Sequence, residues 1–300
     1  MNRKEISLVV LVTLAVLIII IAYFAYFLTR QPQKPQIGNG LEIAVTFYSL
    51  KEDVGMLTCK GDNVFSVAPS GVDPHEYQLS PADIEKIKSA NIIISTAHTP
   101  FESQIRDLVS KGEVKAVLIE IPEIPGIKVK NNPATGQPNY HWLIYDPSNY
   151  KLFLDYVEKQ LEKLRPSCAQ EYRSTLENLI GRIEKIQTNI TRRDICAVAT
   201  SPPAQYAVEW TGINVKYLLL KEENLPATPQ DLAAIDSSIR NGECSLIVIV
   251  GSPETPLAQK ALEYVKKYNV QYIVIPDPIS PDSTLNKISA VVQALNSLKG

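Results

Sequence analysis

The 300-residue sequence lacks the short strings by which many enzymes and nucleic-acid binders are read. It contains no HExxH, GxSxG or P-loop string, so zincin, nucleophile-elbow and phosphate-cradling chemistry has no local carrier. Its 30 Lys and Arg are balanced by 32 Asp and Glu and are spread along the chain. Without a basic stripe to neutralise phosphates, nucleic acid is not an expected partner. The four cysteines at 59, 168, 196 and 244 form no CxxC pair, which removes a zinc ribbon. Histidine is scarce as well, with three in the chain, at 75, 98 and 141, so any imidazole-based site must draw on those three.

What the sequence does have is a long uncharged run at its start. Residues 6–28 carry no charge over 23 positions, a helix of about 34 Å against a hydrocarbon core of about 30 Å. A cleaved secretory signal would have an apolar core of about 7–15 residues and a small-x-small cleavage site, and neither is present. Position 28 is Leu and no Cys lies nearby, so lipid attachment after cleavage has no acceptor. Residues 1–30 are therefore expected to be a single-pass membrane anchor, N-terminus inside, with the globular part extracytoplasmic. The polar, Pro-punctuated stretch 31–40 suits a semi-rigid linker.

Beyond it, short β-rich runs alternate with amphipathic segments, the pattern of parallel sheets covered by helices. Strands are expected at 41–47, 64–68, 91–95 and 116–121, and again at 195–200, 214–219, 246–250 and 270–275. Between the two sets, residues 147–190 read as helix divided at Pro166. The second part of it carries Tyr172, Leu176, Leu179, Ile183 and Ile186 at helical spacing. Further helices are expected at 204–210, 229–241, 256–268 and 283–298. The fold class is thus α/β: two lobes, each a four-stranded parallel sheet with flanking helices, joined by a long α-helix. The lobes are expected at 41–165 and 191–300, with the linking helix at 166–190. Cys196 and Cys244 open two of the later strands; if those strands are neighbours the thiols can bridge, and otherwise they are two buried thiols.

Open parallel sheets bind ligands beyond the carboxyl ends of their strands. His75 lies in the loop after 64–68, His98 follows 91–95, Asp277 follows 270–275, and His141 immediately precedes a helix. Imidazole nitrogen and carboxylate oxygen from separate loops suit a transition metal. Taken singly, a loop His such as His75 or His98 is more often a solvated polar residue than a ligand, and Asp277 between two prolines reads equally as a turn former.

Resemblance narrows the reading. Gly71-Val-Asp-Pro-His-Glu-Tyr77, with Ser80-Pro-Ala-Asp83 and Ser89-Ala-Asn-Ile-Ile93, resembles the signature of zinc- and manganese-binding solute-binding proteins of ABC importers. Asn139-Tyr-His-Trp-Leu143 with Asp146-Pro147 resembles that family's second His segment, and Ile275-Pro-Asp-Pro278 the segment of its final Asp. The resemblance spans 41–300 and implies that His75, His141 and Asp277 are metal ligands. One departure stands out. Where the family usually has a His or Glu, the alignment puts Ser201, whose neutral hydroxyl is a poor donor. Glu254, and after it His98, are the candidate substitutes. The family's His-rich loop is missing from 124–140, so zinc is favoured only narrowly over manganese or iron.

The expected function is capture of a divalent transition metal, carried as cargo and not as a catalytic cofactor, for delivery to an ABC permease by a membrane-tethered monomer. Two alternatives stand beside it. One is a relative without metal affinity that serves adhesion or assembly, supported by Ser201. The other is a metal-dependent hydrolase, for which Glu76 is the nearest general base.

Overall fold

The computed structural model describes residues 40–298 apart from Asp73, together with Val16, Leu17, Ile19, Ile20, Ile21, Tyr23 and Phe24. Those seven N-terminal residues are helical and exposed. The expected anchor over 1–30 and linker over 31–40 otherwise lie outside the described residues. Among the described residues no helix is long and apolar enough to cross a membrane. Residues 39–300 form a compact unit of their own.

Its first half holds the strands β1 (Glu42–Val45), β2 (Asn63–Ser66), β3 (Ile92–Ser95) and β4 (Val117–Glu120), paired in parallel in the order β2-β1-β3-β4. Helices α1 (Leu50–Gly55), α2 (Pro81–Lys88) and α3 (Pro100–Ser110) connect them. Ile43, Val45, Ile92, Ile93 and Ile94 are fully buried, as expected of central strands covered on both faces. Each such side chain contributes about 1.5–3 kcal/mol of hydrophobic stabilisation.

A small hairpin, β5 (Lys130–Asn131) with β6 (Pro138–Asn139), precedes helix α4 (Pro147–Leu164). After Arg165 the chain makes a tight 3₁₀ turn, Pro166–Cys168, because proline cannot continue the ladder. It then runs on as α5 (Ala169–Thr188), packed against α4.

The second sheet contains β7 (Cys196–Ala199), β8 (Asn214–Leu218), β11 (Cys244–Val250) and β12 (Gln271–Ile275), again all parallel, in the order β12-β11-β7-β8. Helices α6 (Pro203–Val208), α7 (Pro229–Arg240), α8 (Pro256–Tyr268) and α9 (Thr284–Asn296) accompany it. The eight sheet strands fall where the β-rich runs placed them, and the two sheets repeat one strand order without any repeat of sequence. A second hairpin, β9 (Leu220–Glu222) with β10 (Leu225–Pro226), was not anticipated.

Helix starts share a local device. Ser80, Thr99, Asp146, Thr228 and Thr255 each stand at an N-cap and are followed by a proline in the first turn. The polar cap favours the non-helical entry, and proline has no amide hydrogen to leave unpaired there. Each helix therefore begins at a fixed residue, and the loop before it has a fixed length.

Two disulfides close the unit. Cys196–Cys244 joins neighbouring strand starts, as the parallel pairing of β7 and β11 allows. Cys59–Cys168 joins the segment after α1 to the 3₁₀ turn before α5 across 109 positions of sequence, a pairing with no local signal.

A buried acid ties the halves together. Asp53 on α1 is fully buried and accepts hydrogen bonds from Tyr150 Oη on α4 and from the Thr284 amide and hydroxyl on α9, each at 2.7 Å. Burial pushes its pKa up to about 6, against the hydrogen bonds from Thr284 and Tyr150 and the attraction of Lys287. An unfolded Asp titrates near 3.8, so between about pH 4 and 6 the folded protein keeps a proton that the unfolded chain releases. Stability attributable to this group is accordingly full below that window and is lost as pH rises through it. Urea unfolding across pH should show the wild type losing stability from pH 4 to 6 relative to Asp53→Asn; a constant difference between the two would contradict this.

Candidate metal centre

Three loops bring the three imidazoles together. His75 comes from the segment between β2 and α2, His98 from the turn between β3 and α3, and His141 from the segment between β6 and α4. One ring nitrogen from each lies within 4.8 Å of the others. The ring centroids of His98 are 4.7 Å from those of His75 and 4.4 Å from those of His141.

The His98 turn is held by a single carboxylate. Glu102, in the first turn of α3 and 1% exposed, accepts from the backbone amides of Thr96, His98 and Thr99 at 2.7–3.0 Å. It also accepts from the hydroxyls of Thr46, Ser95 and Thr96. Burial alone would raise its pKa, but the donors, led by Thr46 and the His98 amide, hold it below the usual carboxylate range. This clamp stabilises Ala97 in the left-handed region, at φ +57°, a conformation that costs an L-residue about 1–2 kcal/mol.

His141 is oriented from the other half of the fold. Gln205 on α6 donates its amide to the Asn131 carbonyl at 3.0 Å, which turns its oxygen toward Asn139 Nδ2 at 2.9 Å. The same Nδ2 also donates to the Pro202 carbonyl. Asn139 Oδ1 therefore faces His141, accepting the backbone amide at 3.0 Å and lying 2.9 Å from Nδ1. With the ring proton on Nδ1, the Nε2 lone pair is left to face the cleft, the usual arrangement behind a metal-ligating histidine. Trp142, next in sequence, also sits in the left-handed region at φ +58°.

The environment keeps two of these rings neutral. Burial, with the neighbouring imidazoles, pushes the pKa of His141 down to about 3. Burial also pushes that of His98 down to about 4, with His75 adding to the effect and Glu102 opposing it. At neutral pH both present lone pairs. A cleft of about 520 Å³ borders His98, His141, Tyr140 and Glu222, and a smaller cavity of about 70 Å³ borders all three histidines with Phe47, Trp142 and Pro278.

The unanticipated hairpin brings acid to the site. Glu222 Oε2 lies 3.3 Å from His141 Nε2, and Glu223 Oε2 lies 3.3 Å from His75 Nε2. Asn132, fully buried, donates to Glu222 Oε1 at 2.8 Å and to the Lys221 carbonyl. Burial raises the Glu222 pKa, while Asn132 and His75 pull it down. The one signal in the sequence was the acidic pair itself, Glu222-Glu223-Asn224 directly after an apolar strand, a string that also reads as an ordinary solvated turn.

The remaining expected ligands lie in loops of the second half. Asp277 is not in the imidazole group; its Oδ1 accepts the Ile279 amide at 2.9 Å, and its side chain lies against Gly251. Its loop is fastened by the buried Lys287, whose Nζ donates to the carbonyls of Pro278 and Ser280. Ser201 lies in the loop after β7, and its carbonyl accepts the Ala204 amide at the start of α6. Glu254 is exposed in the turn before α8. His98, ranked behind Glu254 as a substitute, is the one that sits with His75 and His141.

Comparison with known proteins gives a concordant result. The sequence profile of the family described as zinc-uptake complex component A, periplasmic (ZnuA), matches residues 43–296. The iron-binding protein YfeA of Yersinia pestis is 23% identical over 244 residues, covering 76% of this chain and 74% of that protein. The manganese ABC transporter substrate-binding lipoprotein PsaA of Streptococcus mitis is 21% identical over 208 residues, 64% of this chain and 67% of that one. Among solved structures, the Mn²⁺ complex of the solute-binding protein FpvC from Pseudomonas aeruginosa superposes with a TM-score of 0.69 at 16% identity, covering 86% of this chain and 98% of that one.

The Glu102 clamp yields a measurable consequence. Glu102→Ala strands several buried donors at once, so urea unfolding should show a loss of at least about 3 kcal/mol, with faster hydrogen exchange at the His98 amide. A loss below about 1 kcal/mol, the size of one ordinary hydrogen bond, would mean the turn is held by something else.

Proposed function

The chain belongs to the ZnuA family of periplasmic metal-uptake components, and we propose that it captures one divalent transition metal, zinc in preference to manganese or iron, between its two sheets. The family consists of substrate-binding proteins of ABC importers, not enzymes. The observation that carries the proposal is the convergence of His75, His98 and His141. Three imidazoles within one ion's reach are good ligands for a borderline-soft cation. Nitrogen-rich ligation favours zinc, whereas manganese prefers oxygen.

Residues 41–165 and 191–300 serve as the two lobes, joined through 166–190, and the ion is handed to a permease at the membrane. The Asp53 contacts between halves favour small adjustments of loops over a wide hinge. The uncharged run 6–28 tethers the domain as a single-pass anchor, and the protein acts as a monomer.

Isothermal titration of metal-stripped protein should show one zinc ion per chain with submicromolar affinity, and His75→Ala or His141→Ala should weaken it by more than about a hundredfold, beyond what outer-shell changes cost. No micromolar binding of zinc, manganese or iron would leave an adhesion or assembly role ahead. The full chain should stay with membranes through alkaline extraction, and a chain starting at residue 41 should not; equal release of both would remove the anchor.

A further inference from the structure

We propose that the turn of the β9–β10 hairpin supplies oxygen donors to the metal site, Glu222 beside His141 and Glu223 beside His75. This rests on reading the three imidazoles as a metal site and names what completes it.

Distance is the first support. Two neighbouring donors bound to one zinc at ordinary bond lengths stand about 3–3.6 Å apart, and both Nε2 to Oε2 separations are 3.3 Å. Tautomer is the second. The amide relay from Asn131 through Gln205 and Asn139 places the His141 proton on Nδ1, so Nε2 meets Glu222 lone pair to lone pair. A cation between them turns a repulsive contact into two bonds.

The hairpin is also built to present these groups. Asn132 grips Glu222 through Oε1 and the preceding carbonyl, leaving Oε2 directed at the imidazole. Lys221 Nζ is fastened to Asp231 at the start of α7, 2.9 Å away. Asn224 closes the turn in the left-handed region at φ +56°, which asparagine tolerates and which aims the adjacent Glu223 back at His75.

Two carboxylates cancel the charge of a divalent ion, whereas three imidazoles alone would leave it uncompensated in a partly buried site. Neither carboxylate oxygen lies within 4.8 Å of all three ring nitrogens. Binding therefore draws the hairpin tip inward, and the hairpin is the arm of the second half that closes on the ion.

The test compares the full-length wild type with Glu222→Gln, Glu223→Gln, the double variant and Asp277→Asn, titrated with Zn²⁺ and with Co²⁺, whose visible d–d bands report its ligands directly. Each Gln substitution should lower zinc affinity about tenfold and the pair about a hundredfold, with altered Co²⁺ bands. Unaltered melting of the metal-free variants establishes that they fold. Wild-type affinity in the double variant, a loss confined to Asp277→Asn, or weaker binding with unchanged Co²⁺ bands each overturns the proposal and leaves the three-imidazole reading standing. Failure of the wild type to bind either ion removes both.

Discussion

The carboxamide of Asn139 is the point on which the site turns. It belongs to the first half of the chain, yet its orientation is set by Gln205 and the Pro202 carbonyl in the second. Tyr206 reinforces the same junction by donating to the Asn139 carbonyl at 2.6 Å and accepting the Lys130 amide at 2.8 Å. A histidine's ligating nitrogen is chosen by the hydrogen bond its other nitrogen makes. The α6 segment thus governs the orientation of His141 through the Gln205 and Tyr206 side chains and the Pro202 carbonyl.

Two buried acids perform the corresponding task elsewhere. Glu102 fixes the turn that presents His98, and Asp53 fastens α1 to α4 and α9. A buried carboxylate is costly unless its oxygens are satisfied, and each of these meets several donors from otherwise unrelated segments. Such groups specify geometry more than they add stability. Lys287 completes the set by holding the Asp277 loop through two carbonyls, with its own pKa pushed down to about 8 by burial against the pull of Asp53, Asp277 and Asp282.

Backbone strain follows the same map. Of the described non-glycine residues with positive φ, Ala97, Trp142 and Asn224 adjoin His98, His141 and Glu223, while Asn269 caps α8. Strain of this kind persists only where surrounding contacts over-determine it. Its concentration beside the imidazoles and the hairpin turn is what a site assembled from separate loops, each held in one orientation, requires.

Much of the architecture was legible in the sequence because it follows from local chemistry. Alternating apolar runs and helical periodicity located the sheet strands and the divided helix at Pro166. His75 and His141 were legible through their motifs. The hairpin at 220–226 was not, because three- and two-residue strands carry no periodicity, and an acidic pair in a turn looks the same whether it faces solvent or an imidazole. The Cys59–Cys168 bridge also had no local mark. The sequence by itself therefore determined the elements, their order and the supply of donors. Only the tertiary structure decided which donors meet, since that depends on hydrogen bonds between residues some 60 to 230 positions apart.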